Sequence, residues 1–113
     1  MTPEQTLEAT FRAGNHALAR QMAVAILQRN PKNKTGLQVL AHIALLIGVS
    51  GEALTIATRA IEQDDKDPRT NLLLAEIHGA RGHTETALTY CDRVLKTHPN
   101  DVSAIQMGAR LLE

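Results

Sequence analysis

The sequence predicts an all-α fold: a solenoid of antiparallel helix pairs with about seven helices. Three observations predict it. The chain resembles itself at a shift of 34 residues. Leu40, Ala41, Ile43, Gly48, Ala53, Leu54, Thr55, Arg59 and Asp67 fall on Leu74, Ala75, Ile77, Gly82, Ala87, Leu88, Thr89, Arg93 and Asp101. A fixed period of roughly 20–50 residues marks stacked supersecondary units. The punctuation repeats as well: Gly14, Gly48 and Gly82 are candidate helix stops, and Asn33, Asp67 and Asp101 are candidate N-caps. Finally, 43% of the residues are apolar, yet there is one Phe, one Tyr and no Trp. Ala, Leu, Ile and Val suit closely stacked helices, whereas a β-sandwich draws on aromatic and β-branched residues.

The elements follow in order. Thr2-Pro3-Glu4-Gln5 opens a first helix: Thr2 caps it, Pro3 sits where a missing N–H costs nothing, and Gln5 completes a capping box. Leu7, Ala9, Phe11 and Ala13 supply its apolar side, and Gly14 ends it. A second helix spans about Ala17 to Arg29, with Ala19, Met22, Ala23, Ile26 and Leu27 on one face, and Pro31 forbids its continuation. Asn33 caps a third helix that carries Leu37, Leu40, Ala41, Ala44 and Leu45 and stops at Gly48. Ser50 is the expected cap of a fourth helix running to about Gln63. Asp67 caps the fifth, with Pro68 at its first position, and Gly82 ends it. Thr84 is the expected cap of the sixth, which runs to about Thr97 before Pro99. Asp101 caps the seventh, from Val102 to the end. Ala19, Ala53 and Ala87 recur early in the second helix of each pair, where a small side chain lets two helices approach closely.

Composition narrows the function classes. Twelve basic and twelve acidic residues balance to zero net charge, so no global field favours nucleic acid or an anionic membrane. Cys91 is the single cysteine, which excludes an internal disulfide framework. The polar N-terminus is no signal peptide, and the run Ile43 to Val49 is too short to span a bilayer. The expectation is a cytoplasmic protein with no membrane insertion. No G-x-S-x-G, G-x-x-x-x-G-K or H-E-x-x-H motif occurs, so no enzyme activity, cofactor or metal is expected.

A 34-residue helix–turn–helix with this register resembles the tetratricopeptide repeat family. With Pro68 as position 1, the family pattern at positions 8, 15, 20, 24, 27 and 32 is met by Ala75, Gly82, Ala87, Cys91, Val94 and Pro99. The preceding unit has Ala41, Gly48, Ala53, Ala57 and Ala60, then Asp65 in place of the proline. The first has Leu7, Gly14, Ala19, Ala23, Ile26 and Pro31. The family's aromatic residues at positions 4 and 11 are replaced by Leu37 and Ala44, and by Asn71 and His78. The resemblance implies one right-handed domain over residues 1–113, with units at about 1–33, 34–67 and 68–101 and an unpaired terminal helix 102–113.

It further implies that the first helix of each pair lines a concave groove. Position 9 reads Glu8, His42, Glu76, Arg110 along the units, and the floor is apolar around Phe11, Leu45, Leu46 and Leu72. Gln38, Arg69 and Gln106 fall at other groove positions. A peptide or a partner's helix suits such a surface. The same charged ladder also fits solvated residues in weak surface pairs, worth about 0–1 kcal/mol each. A chaperone-binding subgroup grips a C-terminal carboxylate with Lys and Asn. The matching positions here hold Glu4, Glu8, Gln38, Val39, Arg69 and Leu73, and only Arg69 is suitable, so no such clamp is expected. His42 between two carboxylates fits a metal ligand or a pH switch less well than a simple polar contact. His78 and Cys91 read as packed residues, not zinc ligands, because no ligand-type spacing surrounds them.

On the last helix Ser103, Gln106, Arg110 and Glu113 form one narrow polar stripe, and the rest is apolar or small. Ile105, Met107, Leu111 and Leu112 are therefore expected to be covered, by further chain beyond Glu113 or by a second copy in a homodimer. The functional expectation is non-enzymatic protein–protein recognition, as an adaptor or assembly scaffold. The alternatives are the N-terminal repeat module of a larger enzyme, such as a transferase that recruits a protein substrate, and a secretion-type chaperone.

Overall fold

The computed structural model covers residues 1–113 and consists of seven helices. These are α1 (Pro3–Arg12), α2 (His16–Arg29), α3 (Lys34–Leu46), α4 (Ser50–Ile61), α5 (Pro68–Ala80), α6 (Thr84–Thr97) and α7 (Val102–Leu111). The Thr2 hydroxyl accepts from the Gln5 amide, and the Gln5 side chain accepts from the Thr2 amide, forming the expected capping box. Asn33 and Asp101 accept from the amides of Gly36 and Ala104, as N-caps do.

The turns within the three pairs share one backbone solution. Gly14, Gly48 and Gly82 sit at φ of +85°, +88° and +82°, a conformation costly for any residue with a Cβ. Each turn then closes with an amide reaching back five residues: Asn15 to Thr10, Val49 to Ala44 and His83 to His78. The residue after the glycine is the N-cap in all three, which corrects the expectation for Ser50 and Thr84. Those two are first helical residues, and the caps are Val49 and His83, which make no side-chain cap bond. Only Asn15 has an oxygen there, and it accepts from the Leu18 amide at 3.3 Å. The backbone of the turn starts α4 and α6, not a side chain. Helix α4 also stops at Ile61, two residues short of the expected Gln63.

Contacts between helices define the layers. Helix α1 packs on α3, α3 on α5 and α5 on α7, while α2, α4 and α6 touch only first helices and never one another. The first helices therefore form one contiguous inner layer, and the second helices lie apart on the outside. Every core cluster is completed by the next unit. Leu7, Ala19 and Ala23 pack with Val39 and Ile43 of α3. Ala41, Ala44, Ala53 and Ala57 pack with Leu73, Leu74 and Ile77 of α5. Ala75, Ala87 and Cys91 are covered by Met107 and Leu111 of α7. Such shared cores are what tie a solenoid together. Ala19, Ala53 and Ala87 are fully buried, as their recurrence requires.

A polar brace repeats along the stack as well. Asn33 Nδ2 donates to Glu4 at 3.0 Å, and, 34 residues on, Gln38 Nε2 donates to Asp67. Gln38 also donates to the Thr70 hydroxyl at 2.7 Å, and Lys34 lies 3.5 Å from the same Asp67 carboxylate. Asp67 thus holds the N-cap position without a side-chain cap bond, because its carboxylate is spent on this brace. Asn71 Nδ2 donates to the carbonyls of Asp65 and Asp67. The three buried polar residues, Gln38, Thr70 and Asn71, all serve the turn where Asp65 replaces the proline of the other units. No helix is long and apolar enough to cross a membrane.

Candidate functional site: the concave face

The inner layer encloses an open concavity of about 620 Å³. Eight of the expected groove residues line it: Glu8, Phe11, His42, Arg69, Leu72, Glu76, Gln106 and Arg110. They meet because residues one repeat apart project from neighbouring inner helices. Leu72, Leu73, Phe11 and Met107 form its apolar part. Leu73 and Met107, like Arg12, were not expected there. Leu73 and Met107 lie 34 residues apart on the same helical face, so the register that placed Leu72 and Gln106 holds the signal for them.

Three expected groove residues lie elsewhere, among them Leu46, which is exposed and does not line the concavity. Gln38 is 3% exposed and committed to the brace with Asp67 and Thr70, so its placement on the groove surface is corrected. The cause is distance in sequence: its partners are 29 and 32 residues away. Leu45 packs against the core between α3 and α5, outside the concavity.

The charges of the concavity are sorted by pairing. Arg69 Nη1 of α5 donates to Glu8 of α1 at 2.5 Å, and Arg12 lies 3.6 Å from the same carboxylate. Glu76 and Arg110 have no ion-pair partner. The Arg110 guanidinium donates to the Met107 sulfur at 3.4 Å. Phe11 stacks on His16 at 5.2 Å between ring centroids and packs at a tilt against His42 at 5.1 Å. Burial pushes His42 below its ordinary 6.5, against the opposing pull of Glu76, so the ring is neutral at pH 7. No three His, Cys, Asp or Glu side chains converge to hold a metal ion. Cys91 is buried, and burial raises its thiol pKa, which disfavours the nucleophilic thiolate.

At the C-terminal end, the four residues expected to form a contact surface divide. Met107 and Leu111 turn inward onto the Ala75–Ala87–Cys91 cluster. Ile105 and Leu112 are 50% and 74% exposed, and Val102 joins them at 64%. Met107 and Leu111 are half-buried covers of that cluster, and the most exposed of the four expected contact residues are Ile105 and Leu112.

A family model described as tetratricopeptide repeat matches residues 50–112, more than half of the chain. No curated protein matches the chain in sequence. Among solved structures, it superposes on an O-GlcNAc transferase mutant of Thermobaculum terrenum with a TM-score of 0.93 at 22% identity, covering 97% of this chain and 21% of that one. It superposes on the first such domain of Spaghetti (RPAP3) bound to the HSP90 peptide SRMEEVD with a TM-score of 0.86 at 15% identity, covering 97% and 87%. The second domain of human RPAP3, in complex with the HSP70 peptide SGPTIEEVD, gives 0.84 at 17% identity, covering 98% and 92%. At these identities the superpositions speak for the fold. The sequence match, the 34-residue register and the seven helices agree: the chain belongs to the tetratricopeptide repeat family.

Proposed function

We propose that the chain is a non-catalytic protein-binding module of the cytoplasm whose concave face takes a segment of another protein, and that it serves as an adaptor or assembly scaffold. The observation that carries this reading is the concavity of about 620 Å³, where a half-buried apolar floor is ringed by charged side chains. An apolar anchor with polar contacts around it is the pattern of peptide recognition in a groove. Two of the structurally similar domains carry bound peptides, which agrees with this use of the fold. The test is an affinity capture with the wild-type chain and with the His42→Ala/Glu76→Ala double variant, quantified partner by partner. The reading expects specific partners to be lost from the double variant, and equal retention by both forms contradicts it.

A second reading has its own support. The superposition on the transferase spans only 21% of that chain, so the same stack of repeats also serves inside a larger enzyme. A blot of the source cells with an antibody to this chain separates the two. A species at 12.3 kDa supports a free-standing module, and only a much larger species supports a part of an enzyme. The exposed Val102, Ile105 and Leu112 support a homodimer through α7, which sedimentation of wild type against Ile105→Glu/Leu112→Glu tests: an unchanged mass contradicts the dimer.

A further inference from the structure

From the sorted charges of the concavity we infer that the bound segment places a lysine or arginine side chain against Glu76, beside the Phe11–His42 pair. This rests on the groove-binding reading above and specifies its partner.

Glu8, Glu76 and Asp101 are the three carboxylates lining the concavity. Glu8 is held by Arg69 and Arg12, and Asp101 accepts from the Ala104 amide as the N-cap of α7. Glu76 is half-buried and makes neither an ion pair nor a hydrogen bond with the protein. His42, the neighbour one repeat before it, offers no counter-charge at pH 7, because burial disfavours the imidazolium. Arg69 is turned away onto Glu8. A partly desolvated carboxylate without a counter-charge gains a charge-assisted bond when a cation arrives.

The surroundings favour the same ligand group. The Phe11 and His42 rings pack at 5.1 Å between centroids with their planes tilted by 49°, and aromatic rings lining a concavity attract ammonium and guanidinium groups. Leu72, Leu73 and Met107 line the approach, where the aliphatic stem of lysine or arginine buries its methylenes. An acidic segment meets the opposite situation. It faces an uncompensated Glu76, and the half-buried cation within the concavity, Arg69, is already occupied by Glu8. Arg110, exposed at the far end, is left for an acidic group elsewhere in a segment whose anchor is basic.

The experiment is selection of a randomised peptide display library on the wild-type chain, on Glu76→Gln and on Glu76→Lys, each first shown by circular dichroism to unfold as cooperatively as wild type. The expected result is a wild-type consensus with one fixed Lys or Arg. The selected peptide should bind Glu76→Gln about tenfold or more weakly, since a hydrogen bond to a charged group is lost. Glu76→Lys should select Asp or Glu at that place. A wild-type consensus without a basic residue, or equal affinity for Glu76→Gln, overturns the inference while leaving groove binding intact. Failure of all three proteins to enrich any peptide overturns the groove-binding reading itself.

Discussion

Arg69 of α5 bonds to Glu8 of α1 at 2.5 Å, joining the first unit to the third over the face of α3 between them. The bridge spans 61 positions of sequence and links helices that do not pack on each other. It is the longest-range polar contact of the concave face, so it bears on both the curvature of the stack and the charge a ligand meets.

Its energetic weight is small. The Arg69 and Glu8 side chains are 38% and 22% exposed, so water and salt screen the pair. A double-mutant cycle with Glu8→Gln and Arg69→Gln, followed by urea denaturation, should give a coupling of about 0.2–1 kcal/mol. The coupling should shrink in about 1 M NaCl, where the Debye length falls to roughly 3 Å. A coupling that persists unchanged at high salt contradicts a screened surface pair.

The brace at Gln38 should matter more to stability and less to binding. Replacing Gln38 by Leu leaves the Asp67 carboxylate and the buried Thr70 hydroxyl short of a donor. Thr70 still donates to Asp67 and Lys34 stays beside it, so the expected loss by urea denaturation is about 1–3 kcal/mol, the net worth of two hydrogen bonds, one of them to a charged group. Gln106 occupies the same repeat position on α7 but is exposed, so Gln106→Ala should change stability by no more than about 0.5 kcal/mol. Affinity for a groove ligand should survive Gln38→Leu in the folded protein.

Gly79 sets the seat of α7. A Cβ built at Gly79 falls 2.9 Å from the Leu111 Cδ2 atom, so alanine there requires Leu111 to move. Alanine also gains about 1 kcal/mol of helix propensity over glycine within α5. Overpacking costs of about 1–3 kcal/mol act locally on the Leu111 contact. Gly79→Ala should therefore alter global stability little, yet speed amide hydrogen exchange in residues 102–111. Adding Leu111→Ala removes the clash, and in that background Gly79→Ala should no longer speed exchange in α7. Unchanged exchange of α7 in the single variant would show that Leu111 repacks at no cost.

Two histidines make stability depend on pH. Burial lowers the pKa of His42, and burial together with His83 and Arg81 lowers that of His78. The unfolded chain then takes up protons at these sites before the folded one does. Stability is unaffected well above pH 6.5, falls as pH drops through 6.5, and levels off for these groups below their folded-state values. Thermal unfolding between about pH 7.5 and 5 should show this decline. His42→Gln and His78→Gln should each flatten it. An unchanged slope in both variants assigns the pH dependence to other groups.

Much of the fold was legible because one unit is written three times in register. The recurrence of Gly14, Gly48 and Gly82 locates turns whose backbone needs positive φ, and each was found there. Ala19, Ala53 and Ala87 locate the close approach of paired helices, and all are fully buried. What escaped depends on three dimensions. Ser50 and Thr84 are good cap residues by type, but the turn places the cap one residue earlier. Gln38 reads as a surface polar residue until Asp67 and Thr70 arrive beside it from the next unit. Met107 and Leu111 look like an uncovered flank because their cover comes from α5 and α6, while Ile105 and Leu112 on the same helix do remain exposed.

On the proposed function, the inner layer of first helices is the surface that meets another protein. Its most direct test is an amide chemical-shift map of the ¹⁵N-labelled chain, titrated with a peptide selected on the wild type. Shifts should saturate together on α1, α3, α5 and α7, centred on Phe11, His42, Leu72 and Glu76, with α2, α4 and α6 silent on their outer faces. Shifts concentrated on those outer faces, or confined to Ile105 and Leu112 at the end of the stack, would contradict it.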